Sequence, residues 1–542
     1  MKVLLLLVRV AGRWLVLGAL AGLVAGTALA ALMGLVHRAV TGNGSGAGMA
    51  ALAFGLLALL YLACTLVADH SLKDVSEALQ ADVRLNILRQ LLDRPLRGAE
   101  ALGEARILSL LVNDVRLIAD FVCRVPVAFV DFATAAGCLL YMAWLSPVAF
   151  GFNILFLAVA AACYVVPERA ARGYLRRAAD AMERHMGQIQ FGIRGMKLLL
   201  LSRPKRRDFL GKHFQHTAGE IRALNRRGGF FHAFAERFAE SVALGYIAFL
   251  VFILPRYAHY SAATATGLVL AAIFARAPLK DLLGMFSRVR RTQLAVESIE
   301  RAGLKVWAEP AAEAEVSAAP FRDLELVGAR FEYEGDHGQK GFAAGPFDVR
   351  LEAGEILFIV GGNGAGKTTL AKLLCGLYPP SGGRVLMNSG PVEGVAGQEA
   401  HRALFCAAFT DDPLFTHVLG IPGSEADAGG GAWLRELRLE HTVRMEDGRF
   451  STIDLSQGQR RRMVLLSALV EDRPVLLLDE WAADQDPGFR AFFYDHIIPD
   501  LRARGKTLVL ITHDDRYFDR ADRLLKIEGG RLVPMAQPEV VT

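Results

Sequence analysis

The stretch Gly361-Gly362-Asn363-Gly364-Ala365-Gly366-Lys367-Thr368, with Thr369 behind it, satisfies the spacing G-x-x-x-x-G-K-[ST]. It directly follows the apolar run Leu357-Phe358-Ile359-Val360 and precedes a helical run over residues 370–377. Strand, glycine-rich loop and helix therefore come in the order that makes the motif meaningful. The glycines let the backbone curl until its N–H groups and a helix N-terminus face phosphate oxygens. Lys367 is then placed to neutralise the β- and γ-phosphates of a nucleotide, and Thr368 to hold Mg²⁺ through its hydroxyl.

A second stretch supplies the acids. Val475-Leu476-Leu477-Leu478-Asp479-Glu480 is an apolar run ending in two carboxylates, as expected of a buried strand that delivers its acids to the C-terminal edge of a sheet. Asp479 suits the Mg²⁺ shell, and Glu480 suits a general base that polarises an attacking water. Around these stretches, from about residue 321 onward, short aliphatic runs at 356–360, 475–478 and 507–512 alternate with helical ones. That alternation predicts a parallel sheet flanked by helices.

The residues upstream read differently. The chain has 542 residues, too many for one ordinary core, and 53% of them are apolar. The long apolar runs concentrate in the first ~300 positions, where about 20 apolar residues are enough for a helix to cross a bilayer. Six spans are expected, over 14–36, 49–68, 125–145, 148–166, 241–254 and 262–274. Glu236, Glu240 and Arg276 interrupt the ends of the last two, which are expected to run on out of the membrane. Lys2, Arg9 and Arg13 ahead of Ala28-Leu29-Ala30 imitate a signal peptide. The run at 14–36 exceeds a usual h-region, so it is read as a retained first helix.

The connections alternate in character. Residues 41–48 are short and uncharged, and Leu145-Ser146-Pro147 is a tight turn; both suit the outer side. The two long connections are rich in Arg and Lys, as at Arg84, Arg89, Arg94, Arg97 and from Arg203 to Arg207, which places them in the cytoplasm. An even number of spans puts both termini there too. The net charge of +5 without a polybasic tail gives no reason to expect nucleic-acid binding. The six cysteines contain no C-x-x-C pair, so they are read as small buried residues rather than ligands or a disulfide framework.

With these motifs in place, residues 321–533 resemble the nucleotide-binding domain of an ABC transporter. The discriminating piece is Leu455-Ser456-Gln457-Gly458-Gln459, which is similar to the LSGGQ signature with Gln at its third position. A plain helix cap would account for Ser456 but not for the whole set. The resemblance implies that Ser456, Gln457, Gly458 and Gln459 face the γ-phosphate held by a second subunit. It makes His513, in Thr512-His513, the switch histidine and Asp486 the D-loop aspartate. Tyr333, in Phe331-Glu332-Tyr333, becomes the ring that stacks on adenine, although a lone aromatic also suits a core. One departure stands out: Phe409-Thr410-Asp411-Asp412-Pro413 carries no Gln where the family's Q-loop has one, leaving Thr410 or Asp411 in that role.

The membrane half carries a weaker likeness. Residues 105–115, Ala-Arg-Ile-Leu-Ser-Leu-Leu-Val-Asn-Asp-Val, resemble a pattern that exporters place beside a coupling helix, and spans fused ahead of the ATPase suit exporters. The segments 358–364 and 479–487, with Phe492-Phe493-Tyr494, resemble the cyclic-peptide and peptide-siderophore exporter branch, which includes the pyoverdine-type and syringomycin-type exporters. That branch also replaces the Q-loop glutamine.

The resulting expectation is a multidomain membrane protein. An all-α transmembrane domain of six helices at 1–306 and a linker at 307–320 precede an α/β P-loop ATPase domain at 321–542. Its cofactors would be ATP and Mg²⁺, and it would work as a homodimer in the bacterial inner membrane. The cargo would be a peptide, with a periplasmic or outer-membrane protein as a candidate export partner. A lipid or multidrug exporter and a membrane-tethered regulatory ATPase are the alternatives. Asp131 and Arg276 are candidates for the cargo cavity by their ionisable character; the other reading places them paired or solvated near helix ends. Phe129 and Tyr141 are read as packing.

Overall fold

The computed structural model describes residues 20–29, 31–39, 47–257, 261–308, 320–333 and 341–534. The basic N-terminus, the start of the first expected span, most of the 41–48 connection and the centre of the expected linker lie outside them. The chain divides into two compact units, Met1–Asp93 with Ala99–Pro310, and Arg94–Gly98 with Ala311–Thr542.

The first unit is helical. Its long members are Leu20–Ala39, Ala47–Leu92, Val115–Leu145, Pro147–Arg194, Gln215–Ala248 and Ala262–Arg301. The fifth continues through Phe249–Ile253 and Leu254–Arg256. Among the described residues four stretches are long and apolar enough to cross a membrane: Leu20–Ala39, Glu104–Leu145, Pro147–Arg194 and Arg203–Arg256. Gly48–Cys64 is a shorter apolar helix. Ala262–Arg301 holds the sixth expected span, but Arg276, Lys280 and Asp281 break its apolar run. Apart from Leu20–Ala39, these helices are longer than the roughly 20 residues a bilayer crossing needs, as the charged residues at the ends of the last two spans suggest.

Local chemistry accounts for how these helices start and meet. The turn at Leu145-Ser146-Pro147 is a one-residue break, in which the Ser146 hydroxyl accepts the Ala149 N–H at 3.3 Å and Pro147 opens the next helix. Small residues let backbones approach. A Cβ added at Gly26 would lie 2.7 Å from the Ala133 Cβ, and one at Gly267 would lie 2.6 Å from Leu145. The exporter-like pattern at 105–115 falls on helix Glu104–Ser109 and the wider turn Leu110–Asp114. There the Asp114 carboxylate accepts the Ser298 hydroxyl at 2.7 Å, and Arg106 donates to the same Ser298 oxygen at 2.8 Å.

Among its described residues the second unit is built on three sheets. Its strands are β1 (Asp323–Glu332), β2 (Ala343–Glu352), β3 (Ile356–Gly361), β4 (Gly382–Met387), β5 (Gly390–Pro391) and β6 (Phe405–Ala408). They continue with β7 (Met445–Glu446), β8 (Arg449–Phe450), β9 (Val475–Asp479), β10 (Thr507–Ile511), β11 (Arg523–Glu528) and β12 (Arg531–Val533). The main sheet runs β12-β11-β3-β10-β9-β6, parallel except for β12. An antiparallel sheet, β2-β1-β4-β5, stands beside it, and β7 pairs with β8.

The main sheet is covered on both faces, which is why β3, β9 and β10 read as continuous apolar runs instead of alternating. Ile356, Phe358, Leu476, Leu478, Leu508 and Leu510 enter one core, which the helices Gly423–Glu436 and Gln457–Val470 cover. Leu357, Ile359, Leu477, Val509 and Ile511 enter the other, with helix Lys367–Leu374 and the antiparallel sheet. The sequence reading anticipated the parallel sheet but not the antiparallel one. Strands β1 and β2 bury roughly alternate residues, with charged Arg330, Glu332, Asp348, Arg350 and Glu352 exposed between them, and so show no long apolar run.

Candidate functional site

The strand order places four loops side by side. Strand β10 lies between β3 and β9, and β6 pairs on the far side of β9, all parallel. The segments after β3, β6, β9 and β10 therefore leave the same edge of the sheet, carrying the glycine loop, Thr410, Glu480 and His513.

The glycine loop is shaped by its neighbours. Gly361 has φ 152°, and a Cβ there would lie 2.3 Å from the Ile527 carbonyl oxygen of the adjoining strand. Gly366 sits at φ 105° as the N-cap of helix Lys367–Leu374, a conformation that suits glycine. The loop thus turns tightly from strand to helix, and the first-turn N–H groups of that helix are left without intrahelical acceptors. A site with open N–H groups and a positive helix end fits a phosphate chain.

Lys367 is buried at the centre of this edge. Its ammonium donates to the carbonyls of Gly361 at 3.0 Å and Gly362 at 3.2 Å. It stands 2.9 Å from His513 Nε2 and 3.4 Å from Glu480 Oε1. His513 Nε2 is also 3.1 Å from the same Glu480 oxygen. Glu480 takes a left-handed backbone, φ 49°, directly after β9, and its N–H donates to the Ile511 carbonyl at 3.0 Å. That strained turn points the carboxylate toward the loops rather than along the strand.

Next to this triangle the Thr368 hydroxyl donates to Asp479 Oδ2 at 3.0 Å. Burial pushes the Asp479 carboxyl above its ordinary range, against the lowering effect of the Thr368 bond. Among the described residues no cluster of three or more His, Cys, Asp or Glu could hold a metal. One hydroxyl and one carboxylate, both hard oxygen donors, fit Mg²⁺, which typically takes one or two protein ligands and completes its shell with phosphate and water.

The Q-loop departure resolves into two different positions. The Thr410 hydroxyl donates to the Asp479 backbone carbonyl at 3.0 Å. Asp411 is exposed and makes no hydrogen bond among the described residues, while Asp412 turns inward to accept the Phe409 N–H at 2.6 Å. Tyr333 places its hydroxyl 2.9 Å from Thr369 Oγ1, with its ring edge-on to Phe331 at 5.0 Å. It is partly buried, so it combines a packing contact with a position beside the glycine-loop helix.

The signature residues form a second cluster. Ser456 caps helix Gln457–Val470 in a capping box with Gln459, which is why that helix starts ahead of the run at 460–470 expected from sequence. Gln457 donates to Asp484 at 2.8 Å, and the Gly458 carbonyl accepts Gln485 at 3.2 Å. Asp486 caps helix Pro487–Phe492 by accepting the Phe489 N–H at 2.9 Å. That bond, then Arg462, holds its carboxyl below the usual range.

Two arginines tie this cluster together, and the sequence reading missed both. Arg461 donates to the Glu480 carbonyl at 2.8 Å and pairs with Asp484 at 2.8 Å. Arg462 reaches Gln485 and Asp486, each at 2.8 Å, and lies 3.5 Å above the Phe489 ring. Their side chains are only 15% and 13% exposed. In sequence they belong to the run Arg460-Arg461-Arg462, which reads as a solvated helix face. The acidic Asp484 and Asp486 after β9 were the signal that could have paired them.

The two cargo candidates are not brought together. Arg276 lines a pocket between helices Pro147–Arg194, Gln215–Ala248 and Ala262–Arg301. Asp131, half-buried on Val115–Leu145, is not among the residues lining it.

Comparison with known proteins agrees with this geometry. The family described as ABC transporter matches residues 345–483, spanning the glycine loop and the Asp479-Glu480 edge. The ATP-binding protein SyrD of Pseudomonas syringae pv. syringae is 32% identical over 464 residues, covering 83% of this chain and 82% of its own length. The mycobactin import ATP-binding/permease protein IrtB of Mycolicibacterium smegmatis is 34% identical over 41% of this chain and 39% of its own. The solved structure of a bacterial Atm1-family ABC exporter with ATP bound superimposes with a TM-score of 0.76 at 16% identity, covering 97% of this chain and 95% of that one. The chain belongs to the ABC transporter family, with the exporter fold of membrane helices ahead of an ATP-hydrolysing domain.

Proposed function

We propose that the chain is one half of a homodimeric exporter of the bacterial inner membrane. It moves a cyclic peptide, a peptide siderophore or a related peptide out of the cytoplasm, with both termini on the cytoplasmic side. In this reading residues 1–306 form a six-helix membrane domain, 307–320 a linker and 321–542 the ATPase. The observation that carries the cargo class is the length of the likeness to SyrD, which runs through the helical unit as well as the ATPase.

The site residues then divide the work. Lys367 and the first-turn N–H groups bind the phosphates, Tyr333 supports the adenine, and Thr368 with Asp479 holds Mg²⁺. The metal, when bound, neutralises charge on the phosphates as it develops. Glu480 accepts the proton of the attacking water, and His513 orients Glu480 from 3.1 Å. Thr410 holds the carbonyl end of Asp479 in place of the family's glutamine. The side chains of Ser456, Gln457 and Gln459 bond within their own cluster and to Asp484. Their likeness to the family's signature supports the arrangement in which a second copy brings them to the nucleotide, giving two sites related by a two-fold axis.

The test is ATP-dependent uptake of labelled cyclic peptides and peptide siderophores into inside-out vesicles, with Glu480→Gln as the control. Uptake by the parent alone supports peptide export. Strong ATP hydrolysis with no uptake removes the peptide reading and brings phospholipid translocation forward.

A further inference from the structure

Glu480 leaves the sheet after β9 and His513 after β10, and their side chains meet at 3.1 Å. The paired register of these strands ends at Asp479 and Ile511, so the meeting point lies beyond the ladder that aligns them. One short segment packs across both loops there. It covers residues 490–494, the end of helix Pro487–Phe492 and the start of the wider turn Phe493–Ile497.

Arg490 bridges the two loops. Its Nη2 donates to the carbonyls of Ala483 at 3.1 Å and Gln485 at 3.2 Å, in the loop after β9. Its Nη1 donates at 3.2 Å to Oδ1 of Asp514, the residue next to His513. The Nε of the same guanidinium is buried without a hydrogen-bond partner among the described residues. An unmet buried donor costs stability, so this geometry is better explained by the position it enforces than by the energy it returns.

Tyr494 holds the second loop at another point. Its hydroxyl lies 2.9 Å from Thr512 Oγ1, which in turn accepts the Asp514 N–H at 3.1 Å. The Tyr494 ring is buried and stacks on Tyr517 with centroids 4.1 Å apart. Phe493 beside it is also buried and lies 4.6 Å from Trp481, the residue directly after Glu480. Neighbouring side chains of one turn therefore reach both loops.

We infer that Arg490 and Tyr494 are positioning residues for ATP hydrolysis, which together set the approach of His513 to Glu480. Neither side chain bonds to Lys367, Glu480 or His513 among the described residues; both act on the loops that carry these groups. The inference rests on the roles given above to Glu480 as base and His513 as the group that orients it.

The experiment measures ATP turnover by the full chain in vesicles for Arg490→Met, Arg490→Lys and Tyr494→Phe, each alone and combined with His513→Ala. Met keeps the apolar stem of Arg490 and Phe keeps the ring of Tyr494. Misplacing a catalytic group costs rate more than affinity, so kcat is expected to fall about tenfold in Arg490→Met and several-fold in Tyr494→Phe, with the KM for ATP changed by less than about twofold. Arg490→Lys offers one ammonium to two loops and should recover part of the loss. In the His513→Ala background each substitution should change the residual turnover by less than about twofold, because a residue acting through His513 has nothing left to position. A merely structural contact would lower turnover by the same factor in both backgrounds. That result, or parental kcat in both Arg490→Met and Tyr494→Phe, overturns the inference and leaves Glu480 and His513 in their roles. Parental turnover by His513→Ala alone overturns the role of His513 and the inference with it. Should Arg490→Met fail to fold, Tyr494→Phe, which removes a single oxygen, carries the same comparison.

Discussion

The Thr410 hydroxyl donates to the backbone carbonyl of Asp479 across the β6–β9 edge at 3.0 Å. Thr410 is thereby tied to the residue whose carboxylate faces Thr368, while Asp411 points to solvent. Thr410→Val keeps the shape and removes the donor, leaving the carbonyl unpaired at a cost of about 1–1.5 kcal/mol. The expected outcome is a loss of ATP turnover of several-fold to about tenfold, with Asp411→Asn much closer to the parent. Steady-state phosphate release in both variants checks the assignment, and the reverse order would move the role to Asp411.

Glu480→Gln removes the only carboxylate within ion-pair reach of Lys367 and His513 among the described residues. It keeps a side chain of the same length, so the glycine loop retains its shape. Nucleotide binding should persist, while turnover falls by roughly 10²–10⁴, the range for losing a general base. Equilibrium binding of a fluorescent ATP analogue beside single-turnover hydrolysis separates the two effects. A variant hydrolysing at the parental rate would remove Glu480 from the base role.

How much of this was legible in the sequence depends on how local the cause is. The glycine loop, Asp479-Glu480 and Thr512-His513 were readable because each is a short stretch whose chemistry needs adjacent residues on a buried strand. Their convergence follows from strand order, which pattern alone does not give. Arg462 shows the other case. Its partners Gln485, Asp486 and Phe489 lie more than twenty residues away, and nothing in Arg460-Arg461-Arg462 says which guanidinium turns inward. The antiparallel sheet was hidden for a related reason, since β1 and β2 bury only alternate residues and such short alternations are common in loops.

Asp479 is expected to trade stability for function. Its carboxyl titrates above the 3.8 of an unstrained aspartate because burial disfavours the charge. The folded state therefore holds this proton more tightly than the unfolded chain, and the group costs stability as pH rises above 3.8. At neutral pH that cost is present, and Asp479→Asn removes it while retaining an acceptor for Thr368. The variant should melt at a higher temperature than the parent without nucleotide, and hydrolyse ATP far more slowly. A lower melting temperature would contradict this account of its burial.

His401 sets a pH dependence of the opposite sign. Its ring is 2% exposed, and Nε2–H donates to the Leu374 carbonyl at 2.7 Å. Burial lowers its pKa below the ordinary 6.5, outweighing that hydrogen bond. The folded state binds this proton less tightly than the unfolded one, so stability is held above pH 6.5 and lost as pH falls below it. Melting temperatures across pH 5–8 should show this decline in the parent and a flatter profile in His401→Gln. Parallel profiles would exclude His401 as the source.

Arg462 holds the signature helix to the segment after β9, and only a guanidinium meets all its contacts. One edge reaches Gln485 through Nε and Asp486 through Nη2, and the flat face lies 3.5 Å above Phe489. Lysine offers a single ammonium and no planar face, so it cannot reproduce both bonds and the stacking together. Arg462→Ala should destabilise the ATPase unit by roughly 1–3 kcal/mol, as losing a largely buried polar network does. Arg462→Lys should recover only part of this. The signature residues hang on this network through Gln485 and Gly458, whereas the glycine loop is held by Gly361 and Ile527. ATP binding should therefore be nearly unchanged in both variants while hydrolysis drops. Melting curves and turnover measured on the same preparations test the argument, and full rescue by Lys would reduce Arg462 to a simple surface charge.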